Sequence, residues 1–120
     1  MKKVVLAVIM VLLMSTAGFA DTYLTLVSSS IEDNSVEVEL EPVFTLEFSN
    51  NVVNMAVKEN NAMMFEMKDS EGNLIPLLIE MGDDQENREI RNIVIVKTES
   101  PLKEGTLHTL TIKKGLKGKN

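Results

Sequence analysis

The chemistry open to this chain is narrow. His108 is its one histidine and there is no cysteine, so an imidazole has no second nitrogen or sulfur with which to complete a zinc site. A Ser-His-Asp triad can be written from the residue types present, but no Gly-x-Ser-x-Gly elbow presents a serine for attack. The strand parity of LHTLTI puts His108 with Leu110 and Ile112, facing a core, where an imidazole fills a structural corner. No catalytic residue is assigned and no cofactor is expected.

Asp83, Asp84 and Glu86 offer the hard oxygen ligands that calcium takes. They match no ligand ladder, and Gly72 in DSEGN comes too early for an EF-hand, so these three are weak calcium candidates in what reads as a solvated loop. Met55, Met63, Met64, Met67 and Met81 could serve cuprous ion. Three of them, Met63, Met67 and Met81, stand at strand parity with core residues, where methionine fills gaps. Asn50, Asn51, Asn54, Asn60 and Asn61 read as turn residues that bond their own backbone, with a polar recognition surface as the alternative. Lys113, Lys114, Lys117 and Lys119 crowd the last eight residues. They could attract an acidic cell-wall polymer or an anionic lipid surface, but their glycine and asparagine spacing reads as a flexible tail or a connector to neighbouring domains.

Whatever these residues do is done after export. MKKVVLAVIMVLLMSTAGFAD has two lysines, an apolar run too short to cross a bilayer and a small-residue close, which is the plan of a signal peptide cut after Ala20. Domain organisation follows: leader 1–20, lead-in 21–29 and one domain 30–120, with no membrane span after cleavage. Of 12 basic side chains the leader takes Lys2 and Lys3, leaving 10 against 18 acidic and a net charge near −8. Such a body repels phosphate backbones and has few aromatics on which bases could stack, which argues against nucleic acid as a partner. Without disulfides, packing alone must stabilise it.

The positioning elements are strands. VEVELE alternates without a fault, with Val36, Val38 and Leu40 on one face. After Pro42 the alternation resumes with Phe44, Leu46 and Phe48. Residues 50–63 fit either an irregular strand or a short helical turn. Met63, Phe65 and Met67 then share a face before Asp69-Ser70-Glu71-Gly72-Asn73, whose Gly72 and Asn73 suit a tight hairpin turn. The return places Ile75, Leu77, Ile79 and Met81 on one side. The run from Ile93 to Val96 reads as a strand covered on both faces. Pro101 and Gly105 punctuate the loop before the closing strand. Six or seven short strands without an amphipathic helix predict an all-β, antiparallel β-sandwich.

In order, SIEDNSVEVELEPVFTLEFSNNV, FEMKDSEGNLIPLLIEM and SPLKEGTLHTLTIKKGLKGKN resemble the bacterial immunoglobulin-like domains of the S-layer type. The resemblance rests on the Asp69, Gly72, Asn73 hairpin and on Pro101, Leu102, Gly105 and Thr106 leading into Thr109 to Ile112. It implies an exported, non-enzymatic structural or binding module at the cell surface. His108 stands where that family has a tyrosine. The resemblance also implies a further strand beside residues 107–112, absent from the sequence, so the Leu107 to Ile112 edge is expected to be open to a partner strand, with its inward face incompletely covered. The competing reading is a small exported metal-binding or hydrolytic protein using the acidic loop or the methionines.

Overall fold

The computed structural model describes residues 24–31 and 38–119, together with the backbone of Lys3 and Val4. The rest of the expected leader and Val36 lie outside the described residues. Lys3–Val4 (β1) pairs antiparallel with Val38–Glu39 (β3). Leu26–Ser29 (β2), inside the expected lead-in, pairs with Val43–Phe48 (β4), which pairs with Ile93–Thr98 (β8), which pairs with Leu77–Glu80 (β7). The second sheet is three-stranded: Leu74–Ile75 (β6), Phe65–Asp69 (β5) and His108–Ile112 (β9). All pairings are antiparallel. Two such sheets with almost no helix make an Ig-like β-sandwich.

Alternation builds the core. Phe44, Leu46 and Phe48 of β4 are buried while Val43, Thr45 and Glu47 are exposed, as a strand with one wet face requires. Val94 and Val96 extend that buried face across β8, and Phe65, Met67, Leu110 and Ile112 oppose it from the second sheet. Phe48 and Phe65 meet edge to face at 6.4 Å between ring centroids. Each of these side chains contributes roughly 1.5–3 kcal/mol by leaving water.

Four expectations change. The run from Leu74 to Met81 is two strands, because Pro76 lacks the N–H a ladder needs and the chain changes sheet there. Ile75, Leu77, Ile79 and Met81 still keep the half-buried parity. Strand β8 is covered fully on one face only: Ile93 and Ile95 are half-buried in a shallow groove with Met81 and Ile90. Met63 is exposed because β5 begins at Phe65, whereas Met67 is in the core. Finally, the inward face of β9 is closed. His108, Leu110 and Ile112 are at most 1% exposed, with Leu102 from the preceding loop and Leu116 from the following segment in the same core.

The undecided stretch 50–63 forms turns and a five-residue helix, Lys58–Ala62 (α1). It joins the end of β4 to the start of β5. The same end of the sandwich holds the segment between β7 and β8, residues 115–119 and the start of β2, where Thr25 exchanges bonds with Ser49.

Candidate functional site

At one end of the sandwich the expected corner residues do structural work. Asp69 organises the β5–β6 hairpin: its carboxylate accepts the backbone N–H groups of Glu71 and Asn73 and the Asn73 side-chain amide. These bonds, the Asn73 N–H foremost, hold the carboxyl below the usual carboxylate range. Gly72 and Gly105 have φ of 83° and 69°, which glycine adopts without penalty. Between exposed Pro101 and Gly105, Leu102 donates its N–H to the Leu40 carbonyl at 2.7 Å. The His108 ring is buried and its Nδ1 lies 3.0 Å from the Thr106 carbonyl oxygen. A carbonyl can only accept, so Nδ1 carries the proton. The bond ties the ring to the loop that precedes β9.

The opposite end is held by asparagines. Asn61, wholly buried, donates to the carbonyls of Val52 and Lys117 and accepts the Lys117 N–H. Asn60 donates to the Gly115 carbonyl and Asn50 to that of Lys119. The Asn51 side chain accepts the N–H groups of Val53 and Asn54. Local backbone bonding therefore describes only part of the set, since Asn50, Asn60 and Asn61 clasp residues far along the chain. The lysine segment is correspondingly docked: Leu116 is buried, and Lys119 donates its N–H to the Asn51 carbonyl at 2.8 Å. Of the two expectations for this segment, a flexible tail or a connector, the flexible tail gives way, because residues 115–119 are bonded to this end.

Asp84 belongs to the same network. Its carboxylate accepts the Asn51 and Asn54 amides at 2.8 and 3.0 Å, and these bonds keep it well ionised. Asp83 instead caps its own turn at Gln85, so the calcium candidates Asp83, Asp84 and Glu86 are not gathered. Among the described residues no group of three or more His, Cys, Asp or Glu side chains comes close enough to hold a metal. Beside Asp84 opens a cleft of about 440 Å³ lined by Asn51, Asp84, Gln85, Arg88, Arg91 and Lys119. Neither arginine nor Lys119 has a carboxylate within 4.0 Å among the described residues, where the ion pairs are Lys68–Glu66, Lys97–Glu80 and Lys113–Glu66.

The third feature is the outer edge of β9. Lys113 donates its N–H to Met64, and Asp69 donates its own to Asn73. In antiparallel ladders bonded pairs alternate, so Thr109 and Thr111 bond β5 while the backbone groups of His108, Leu110 and Ile112 point away from it. Among the described residues no strand lies beyond them. The sheets, the corner loop and this edge invite comparison with known families, and the bacterial Ig-like domain matches residues 20–120. The chain belongs to that family. No curated protein and no solved structure matches it.

In this Ig-like domain the β5–β6 hairpin and the buried parity of His108 were legible from the sequence, while the asparagine clasp and the cleft were not. Asn61 and Lys117 are 56 positions apart, and no local spacing announces such a pair. Arg88 and Arg91 left a signal: they are the only two arginines of the chain, set three apart beside an acidic run. Among the described residues no helix is long and apolar enough to cross a membrane.

Proposed function

We propose that this Ig-like domain is a non-enzymatic module of the S-layer type, exported by a leader cut after Ala20 and displayed at the bacterial surface. It engages a neighbouring domain or partner protein by accepting a strand along β9. The observation that carries this reading is the outward backbone of His108, Leu110 and Ile112, a row that pairs with no strand among the described residues and lies above a fully packed core. Strand addition at such an edge draws affinity from main-chain bonds and needs no pocket. Burial of His108, with Nδ1–H committed to Thr106, supports a module without a catalytic base.

The test appends a strand of about six residues, alternating threonine and valine, to the mature chain through a flexible linker. Sedimentation and thermal unfolding are compared with and without it. A rise in melting temperature of several degrees, with loss of any self-association, supports the edge as the acceptor. A chain that is already monomeric and gains nothing from the strand would show that β9 accepts none.

A further inference from the structure

Resting on the reading of the chain as a binding module, but on a second surface, we propose that the cleft between Asp84 and Arg91 binds an acidic sugar unit, one carrying a carboxylate and neighbouring hydroxyls. Charge gives the first ground. The body is strongly acidic, with 18 acidic side chains in the whole chain, yet its only two arginines converge with Lys119 on one concavity. None of the three has a carboxylate within 4.0 Å among the described residues. Lys119 feels the charge of Asp84 across the cleft, whereas among the described residues no ion pair engages Arg88 or Arg91, so both guanidinium groups are open to an anion from outside. Guanidinium groups suit a carboxylate, which they can grip through two parallel N–H bonds.

The lining narrows the class. Asp84 remains ionised in the same cleft, so a sulfate would meet a negative charge with no donor to offer it, and a hydrogen phosphate would offer little more than a single O–H against its own higher charge. A sugar acid brings both halves: its carboxylate to Arg88, Arg91 and Lys119, its hydroxyl donors to Asp84 and the Gln85 side chain. No aromatic side chain lines the cleft, which leaves polar recognition rather than stacking as its means of binding.

Preorganisation is the second ground. Each lining segment hangs from the same short stretch of chain. Asn51 and Asn54 hold Asp84 by their side-chain amides, the Val52 N–H holds the Arg91 carbonyl at 2.9 Å, and the Asn51 carbonyl holds Lys119. Arg91 is fixed further by its Nη1, which donates to the Arg88 carbonyl at 2.7 Å and leaves the other guanidinium donors for a ligand. A cleft assembled from three separate segments and tied to one anchor keeps its shape before a ligand arrives, which lowers the ordering cost of binding.

The probe is a trigalacturonate, titrated into the full mature chain by calorimetry and by amide chemical shifts. Its methyl ester serves as the neutral partner and inorganic phosphate as the plain anion. Saturable binding of the free acid is expected, with shifts at Gln85, Arg88, Arg91 and Lys119 and affinity at least tenfold above ester and phosphate. Arg88→Gln with Arg91→Gln should lower it at least tenfold while melting as the parent does, and Lys119→Gln should lower it severalfold. Lys103→Gln, in the loop at the other end, should change nothing. Absence of saturable binding, equal affinity for phosphate, or an equal loss in Lys103→Gln would each overturn the assignment. None of these outcomes touches the strand-addition test, so the two readings fail separately.

Discussion

Asn61 and Lys117 face each other as two residues of a β-ladder do, although neither is in a strand. The Asn61 Nδ2 donates to the Lys117 carbonyl at 2.7 Å and its Oδ1 accepts the Lys117 N–H at 2.9 Å. A side-chain amide thus substitutes for a backbone amide and seals the C-terminal segment against the core.

Removing that amide should be costly. Asn61→Ala leaves the Val52 and Lys117 carbonyls and the Lys117 N–H without their partner, and is expected to destabilise the domain by about 2–4 kcal/mol. Asn61→Asp keeps the size but turns a second oxygen toward two carbonyls, so it should cost at least as much. Urea unfolding measures both. A loss below about 0.5 kcal/mol, the level of an ordinary surface change, would mean the clasp does not hold the segment.

Hydrogen exchange resolves the edge residue by residue. The amides of Thr109 and Thr111 bond β5, whereas those of Leu110 and Ile112 point outward, so the first pair should exchange at least tenfold more slowly than the second. Uniform protection along β9 would show that the outer amides are also paired in solution.

Acid should weaken the fold in a defined window. Asp69 and Asp84 sit below the usual carboxylate range, chiefly through the Asn73 N–H and the Asn51 amide respectively. The unfolded chain, with aspartates near 3.9, therefore takes up protons first as pH falls. The contribution of both groups is complete above that value and is lost as pH drops through the lower, folded values. Asp69→Asn and Asp84→Asn should each flatten the decline of melting temperature below about pH 4. Unchanged slopes in both variants would place the acid sensitivity in other carboxylates.

His108 separates volume from bonding. His108→Phe keeps a buried ring but leaves the Thr106 carbonyl unpaired, and should cost about 1 kcal/mol; His108→Ala also opens a cavity and should cost about 1–3 kcal/mol. Denaturant midpoints decide the order. If phenylalanine proves worse than alanine, the ring is not a corner filler.

What could be read in advance was local. Alternation in β4, the turn residues around Asp69 and the parity of His108 are patterns of period two or of a few consecutive residues, and the structure repeats them. The strand change at Pro76 was written in the same local terms, since a proline inside an apolar run interrupts the ladder. Asn61 and Leu116 were not readable because their roles depend on a segment returning from more than fifty positions away. An asparagine in a turn and one that seals a core have the same neighbours in sequence. Only the fold distinguishes them.

The bonds from Thr25 to Ser49 and from Lys119 to Asn51 bring two points 94 positions apart in sequence to adjacent places at a single strand end. Ser49 and Asn51 are two residues apart, so at most about 7 Å of chain separates the anchors. Tension applied between Thr25 and Lys119 would run through that short path and bypass the β4–β8 ladder. The load between these two residues would fall on a few hydrogen bonds taken one after another, where a pull along β4 and β8 would strain a whole ladder in shear. Stretching would first peel Lys119, then Lys117, from their asparagine partners, and the sheets would stay folded after the clasp had opened.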